Sequence, residues 1–335
     1  MILITGASGG VGAYLAKYLL SQNQEIVSIE HDNRPYDTAK LIGVKDRIIW
    51  VRGSITDPML MKRILSDYNV KQVYHLAALP IVQASVGACA ATYDVNLMGT
   101  IHLLDAIREM RGVGRDIALL YVSSDKVYGN AGQRPYTEDM PLNSLGVYES
   151  SKAAADRAVQ TYLACGFISH AVVVRPSNFI IPADINFARV LPRLIIPCMR
   201  GDKPILYKTQ HLREYTYIED GVVGMAQLLN LATPKHTVYN MGSGYQRSMA
   251  ETVNAVLRHF PGIGEPAWIE TPNLSRQCEI PYQRLDSSRL LTELTGWLPT
   301  TSFEEGVEKV VTWWRGAWDR LPMSIRNWQV KDWHG

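Results

Sequence analysis

A chain of 335 residues is long enough for one large α/β domain or for two domains sharing a cleft. With 47% apolar and 20% charged residues it has the composition of an ordinary globular protein, which excludes the disordered, collagen-like and coiled-coil classes. The 34 basic and 32 acidic residues leave a net charge of +2, with no single-sign field to attract nucleic acid or an anionic membrane.

The four cysteines, Cys89, Cys165, Cys198 and Cys278, are far apart and form no C-x-x-C pair of a zinc or redox site, so a reduced, cytoplasmic setting is expected. The apolar run at residues 1–5 breaks at Gly6, too early for a signal sequence, and no apolar stretch reaches the about 18 residues of a membrane span.

In chain order, the opening predicts a strand at Ile2–Thr5, a glycine turn, a helix over about 11–21 and a strand at Glu25–Glu30, which together make a βαβ unit. Further strands are predicted at Arg47–Val51, Gln72–Leu76, Ala118–Ser123 and Ala171–Arg175, with helical patterns between most of them. Strands alternating with helices imply an α/β fold whose doubly wound parallel sheet is covered on both faces and linked by right-handed crossovers. Beyond residue 176 the elements shorten and prolines gather at Pro176, Pro182, Pro192, Pro197 and Pro204. Residues 1–176 therefore read as one domain and 177–335 as a smaller α/β lobe interleaved with the sheet, since no low-complexity linker separates them. The tail carries Trp313, Trp314, Trp318, Trp328 and Trp333 at no regular period, as expected for packing on the lobe or at a subunit interface.

Gly6-Ala7-Ser8-Gly9-Gly10-Val11-Gly12 is a G-x-x-G-x-x-G run set between a strand and a helix. The first glycine permits the tight turn, the second lets backbone approach a pyrophosphate, and the third lets helix and strand pack closely with the helix N-terminus facing the phosphates. This is a Rossmann-type dinucleotide site, held by Gly6, Gly9, Gly10, Val11 and Gly12. Glu30 closes the second strand, where an acid accepts hydrogen bonds from the adenosine ribose and repels a 2′-phosphate. NAD is thus expected over NADP, with the nearby Arg34 pulling the other way. The end of the fourth strand, Leu76-Ala77-Ala78, is small enough to pass beside the cofactor.

Tyr148 and Lys152 stand four residues apart, so on a helix they share a face. A lysine charge there lowers the phenol toward neutrality, making it a base for a hydroxyl proton as hydride leaves the carbon. Ser124, upstream at a strand end, is placed to hydrogen-bond the same substrate oxygen.

The glycine run, Ser124, Tyr148 and Lys152 together resemble the extended short-chain dehydrogenase/reductase family, whose members mostly act on nucleotide sugars. Asp94-Val95-Asn96-Leu97-Met98-Gly99-Thr100 resembles its N-x-x-G-T helix segment, Arg213 to Asp220 its R-[DE]-[YW]-x-[YH]-[VI]-x-D segment, and residues 295–299 its C-terminal L-G-W-x-P. The resemblance implies that Ser54, Ile55 and Asn96 join the cofactor site, with Ser54 in place of an aspartate that commonly contacts adenine. It implies that Arg213 binds the nucleotide diphosphate; an ion pair with Glu214 or Glu219 is the alternative.

Ser123-Ser124-Asp125-Lys126-Val127-Tyr128-Gly129 separates the possible reactions. A 4-epimerase needs only the tyrosine base and reversible hydride transfer. A 4,6-dehydratase must also remove the C5 proton and protonate the departing 6-hydroxyl, which calls for two more ionisable groups. The Asp-Lys pair resembles the CDP-glucose 4,6-dehydratase branch, which implies Asp125 as the acid and Lys126 at the position of the C5 base. Nucleotide-sugar dehydration with recycled NAD is the leading expectation. A 4-epimerase or C4 oxidoreductase is the enzymatic alternative, and a non-catalytic dinucleotide-binding protein the remote one.

Asp184 to Pro192 resembles the D-x-N-x-x-R-[IV]-[IL]-P segment of the same branch, which implies that Asn178, Arg189 and Ser85 contact the sugar nucleotide. Two departures stand out. Relatives read G-N-x-[YI]-G-P-G-D where this chain has Ser177-Asn178-Phe179-Ile180-Ile181-Pro182-Ala183-Asp184, so the loop must take another path or be stiffer. The Gln83-Ala84-Ser85 region lacks arginines present in CDP-glucose dehydratases. The resemblance also implies a homodimer paired through the helix before Arg111 and the helix bearing Tyr148.

Overall fold

The computed structural model describes residues 1–32, 36–80, 87–270 and 280–329. Seven strands form one sheet in the order β10-β6-β5-β4-β1-β2-β3. They are β1 (Ile2–Thr5), β2 (Ile26–Glu30), β3 (Ile49–Arg52), β4 (Gln72–His75), β5 (Ala118–Val122), β6 (Ala171–Pro176) and β10 (Val238–Met241). Every pairing is parallel, with Leu3 opposite Val27 and Val73 across the centre. The expected doubly wound α/β fold is present, and its predicted strands lie within one or two residues of their observed bounds.

The sheet is apolar on both faces because both are covered. Alternate side chains serve two cores. Ile2, Ile4, Leu120, Val172 and Val174 pack with Leu15 and Leu19 of α1 (Gly10–Ser21) and with Val222 and Met225 of the helix Ile218–Leu229. Leu3, Val73, Leu119 and Val173 pack on the other face with α3 (Pro58–Asp67) and the helices Gly99–Gly112 and Val147–Ala164. The start of α3 is written locally: Asp57 accepts from the Met59 and Leu60 amides, and Pro58 needs no amide partner.

From residue 177 onward the chain builds two small sheets. One pairs β9 (Leu212–Tyr217) with β7 (Asn178–Ile180) and β11 (Gln246–Ser248); the other pairs β8 (Ile205–Tyr207) with β12 (Ala267–Ile269). The same stretch returns β10 to the large sheet beside β6. Of the tryptophan tail, Trp314 is fully buried and Trp328 nearly so, its ring centroid 4.9 Å from that of Phe187. These two pack on the lobe, and Trp333 falls outside the described residues.

Reversal of winding direction on either side of β1 opens a crevice at the carboxyl ends of the central strands, where open α/β sheets bind their ligands. The predicted site residues within the described chain come from strand ends and the segments after them, from the helices Gly10–Ser21 and Val147–Ala164, from the π-helical turn Asp94–Met98 and from the lobe.

Candidate active site

The glycine turn leaves β1 with Gly6 at φ +79, a backbone conformation that side chains resist. A Cβ there would stand 3.0 Å from the Ala77 amide nitrogen, and one on Gly12 would stand 2.2 Å from the Gly6 carbonyl oxygen. The turn therefore closes only with glycine at both positions. Gly9 caps α1 in extended conformation with no side chain bonding the first-turn amides, so these N–H groups point into the crevice. A cradle of bare backbone at a helix N-terminus fits a dinucleotide pyrophosphate.

The strand ends beside it are tied together. The Thr5 hydroxyl oxygen accepts from the Leu76 and Ala77 amides, both at 3.1 Å, and lies 2.6 Å from His75 Nδ1. Thr100 donates to the Asn96 carbonyl at 2.7 Å, so His75 Nε2, 3.0 Å from the Thr100 oxygen, must be the protonated nitrogen and Nδ1 accepts from Thr5. Burial, with the nearby Lys152, lowers His75 to about 3 and keeps it neutral for this task. Asn96 sits in a π-helical turn, Asp94–Met98, that the sequence pattern did not announce. Its amide accepts from the Leu79 N–H at 2.8 Å and donates to the Ser151 hydroxyl at 2.9 Å. It thus fastens the loop after β4 to the helix carrying Tyr148 and Lys152.

Glu30 does stand at the end of β2, but its carboxylate is shared. Lys45 Nζ lies 2.8 Å from Glu30 and 2.6 Å from Asp37. Two carboxylates against one ammonium leave this strand end negative, which disfavours a 2′-phosphate. Ser54 bonds the Thr56 hydroxyl at 2.8 Å, and Ile55 packs over Gly99, where a Cβ would meet it at 2.7 Å. Leu76, Ala77 and Ala78 are half-buried at the end of β4. Arg34 and Ser85 lie outside the described residues.

Ser124 caps the short 3-10 turn Asp125–Tyr128, accepting from the Lys126 amide at 3.2 Å and donating to Asp125 at 3.1 Å. Its hydroxyl also reaches the Tyr148 phenol. Ser124 and Tyr148 thus lie together, with Lys152 one turn further along the helix Val147–Ala164 that carries Tyr148. The Lys152 ammonium donates to the Val122 carbonyl at 2.6 Å, sits 4.2 Å from the Tyr121 ring centroid, and burial lowers it to about 7 against the pull of Asp156. Burial, aided by Glu149 and Asp125, holds the Tyr148 phenol above its ordinary value, and the cation opposing this rise is Arg189.

Asp125 is 3% exposed, and burial raises it above the ordinary carboxylate range against Lys126, Ser124 and Arg213. Burial that favours the protonated carboxyl beside the serine is the direction a general acid requires. Arg213 donates to the Ile280 carbonyl at 2.8 Å and the Leu212 carbonyl at 3.1 Å. The alternative ion pairs are not the arrangement found: Glu219 pairs with Lys17 at 2.9 Å, and buried Glu214 accepts from the Leu285 and Gly244 amides at 2.6 and 2.7 Å. Burial nevertheless pushes Glu214 up to about 7. Asn178 donates to the Glu214 carbonyl at 3.2 Å, and Arg189 reaches Asp184 at 3.3 Å.

One network escaped sequence reasoning. Arg175, at the end of β6, holds Asp156 with Nε and a terminal nitrogen at 2.8 and 3.0 Å and donates to the Tyr128 hydroxyl at 2.9 Å. Tyr128 in turn donates to Asn240 of β10 at 2.6 Å. Asp156 lies one helical turn beyond Lys152, and Tyr128 ends the turn that presents Asp125 and Lys126. A single buried guanidinium therefore joins the helix of Tyr148 and Lys152 to the turn of Asp125 and Lys126. The four-residue spacing of Lys152 and Asp156 was its only local signal.

A parallel α/β sheet with a glycine cradle at its switch point and a Ser124, Tyr148, Lys152 cluster beside it defines the class of extended short-chain dehydrogenases/reductases. Within it the chain belongs to the NAD-dependent epimerase/dehydratase family, matching over residues 3–310 the family model described as GDP-mannose 4,6 dehydratase. It is similar to the low-salt glycan biosynthesis protein Agl12 of Haloferax volcanii, with 28% identity over 320 residues covering 94% of this chain and 98% of that protein. It is also similar to the dTDP-glucose 4,6-dehydratase of Xanthomonas campestris pv. campestris, with 27% identity over 334 residues covering 93% of this chain and 92% of that one. Among solved structures, the dTDP-glucose 4,6-dehydratase DesIV of Streptomyces venezuelae, crystallised with NAD bound, superposes with a TM-score of 0.83 at 25% identity, covering 94% of this chain and 97% of that one.

Proposed function

We propose that this protein is a nucleotide-sugar 4,6-dehydratase that recycles NAD within each turnover. The observation that carries this reading is the raised, buried Asp125 carboxyl hydrogen-bonded to Ser124 and followed by Lys126, since epimerisation needs neither group. Relatives and a solved neighbour named dTDP-glucose 4,6-dehydratase support it.

NAD, when bound, supplies reversible hydride storage. Gly6, Gly9, Gly10, Val11 and Gly12 would hold its pyrophosphate, with Glu30, Ser54, Ile55 and residues 76–78 along the rest. Tyr148 takes the proton of the sugar 4-hydroxyl as C4 is oxidised, with Ser124 hydrogen-bonded to the same oxygen. The ketone acidifies C5–H; Lys126, in its neutral form, removes that proton while Asp125 gives its own to the departing 6-hydroxyl, which leaves as water. Hydride returned to C6 and the proton returned to C5 complete a 4-keto-6-deoxy sugar, with no net redox change. Arg213, Asn178 and Arg189 face the nucleotide diphosphate and sugar. Residues 1–176 serve the cofactor, and 177–335 mainly the substrate.

The finer expectations belong to the same reading. The protein acts in the cytoplasm as a homodimer whose contact uses the helices Gly99–Gly112 and Val147–Ala164; the half-exposed Ile101, Ala154 and Ala158 on them support it. Among the described residues no helix is long and apolar enough to cross a membrane.

The test is incubation of the NAD-loaded protein with dTDP-glucose, CDP-glucose, GDP-mannose and UDP-glucose, followed by mass spectrometry. A product lighter by one water is expected from one of them. Products of unchanged mass alone would replace this reading by the 4-epimerase.

A further inference from the structure

The segment that departs from its relatives, 177–184, passes directly over the dinucleotide turn. Ile181 is 2% exposed, and a Cβ built on Gly10 would meet its Cδ1 at 3.0 Å and its Cγ2 at 3.5 Å. Its apolar side chain therefore lies on the bare backbone at the start of α1.

Two residues on, Ala183 is fully buried with φ +59. Among the described residues the other non-glycines with positive φ are Asn23 and Asn69, a residue type that tolerates this region; an alanine there must be held by its surroundings. The holding contacts are visible. The Ala183 carbonyl accepts from the Thr38 hydroxyl at 3.2 Å, and the Thr38 amide donates to the Ser8 carbonyl of the glycine turn at 3.1 Å. On the far side, buried Asp184 accepts from the Asn186 amide at 2.9 Å and from Arg189 at 3.3 Å. The segment is thus a strap pinned at Ala183 and Asp184, with Ile181 as the part that touches the turn. Where glycine would leave an open edge, this chain has placed an isoleucine and tolerated a strained alanine to keep it there.

We infer that Ile181 is a cofactor-retaining residue, sealing the Gly10 side of the dinucleotide cradle so that NAD stays bound across turnovers. This rests on the dinucleotide site of the proposed function and adds to it the residue that limits cofactor escape. For a pyrophosphate on the α1 amides to leave past Gly10, the strap must lift, break the Thr38 bond and expose the isoleucine to water.

The test dilutes the NAD-loaded full chain into excess alcohol dehydrogenase and ethanol, which turns each released NAD into NADH and reports the release rate by absorbance. Ile181→Gly is expected to release NAD on the order of tenfold faster than wild type, the change that about 1.4 kcal/mol of lost apolar burial produces. Ile181→Leu, which keeps the apolar volume, should stay close to wild type. If Ile181→Gly fails to fold, Ile181→Val removes only the Cδ1 that touches Gly10 and should release severalfold faster. Ala183→Gly should raise the melting temperature of the NAD-free chain, because the strain goes and no contact atom of Ile181 is lost; a lowered melting temperature overturns the strained-strap part. Wild type and Ile181→Val releasing NAD at the same rate overturns the inference alone. A wild type that takes up no NAD overturns it together with the proposed function.

Discussion

The glycine turn and the strap that crosses it are built by opposite rules. Between Gly6 and Gly12 each residue's task follows from its immediate neighbours: a tight turn, a bare helix start, a close helix-strand contact. Between Ile181 and Asp184 the conformation is set by Gly10, Thr38 and Arg189, which lie elsewhere in the chain. The first region presents bare backbone at a helix start and so has a recognisable pattern. The second controls access through side-chain packing, where any apolar residue of suitable volume will serve and no pattern is required.

The largest effect that would sharpen this contrast comes from the buried network that, like the strap, is assembled at long range. Arg175→Met leaves the Asp156 carboxylate buried without its partner, and we expect it to lower stability in urea unfolding by about 3–5 kcal/mol. A loss below about 1 kcal/mol would mean the pair does not join the two halves of the site.

An intermediate effect is carried by pH. Burial raises Glu214 to about 7, so its stabilising contribution is full below the ordinary carboxylate range and is lost as pH rises through about 7. Lys152 runs the other way: its folded value of about 7 is lowered, so stability rises as pH climbs from about 7 toward the ordinary lysine range. Between about pH 5 and 7 the raised Glu214 lowers the melting temperature as pH rises while the lowered His75 raises it, so Glu214→Gln should make the slope of melting temperature against pH more positive than in wild type by a few degrees. An identical slope in both proteins contradicts the assignment.

The smallest effect is local to the strap. Thr38→Val keeps the shape of the side chain and removes the bond to the Ala183 carbonyl, so a loss of about 1 kcal/mol is expected in urea unfolding. No loss would show that Ala183 is held by packing alone.

How much was legible beforehand follows the same division. The glycine turn, six of the seven sheet strands and the Tyr148–Lys152 spacing are readable because each depends on residues close together in the chain. β10 was not readable as part of the sheet, because its place beside β6 depends on a pairing between Val238 and Val173 across a whole lobe. The Lys45 bridge between Glu30 and Asp37 was missed for a related reason: the ammonium arrives from the connection before β3 and has no fixed spacing to the acid. The π-helical turn at Asp94–Met98 resembled ordinary helix in its sequence. Charge states were the least legible feature, since they follow from burial, and Lys152 at about 7 could not be foreseen from a four-residue spacing.

The central claim, that Asp125 beside Ser124 turns a hydride store into a dehydrating enzyme, is tested most directly by Asp125→Asn with the sugar nucleotide that wild type converts. With NAD-loaded protein in single turnover, C4 oxidation should proceed while water loss stalls, so reduced nicotinamide should accumulate in the variant and not in wild type. Water loss in Asp125→Asn at the wild-type rate, with no accumulated reduced nicotinamide, would contradict the role given to Asp125.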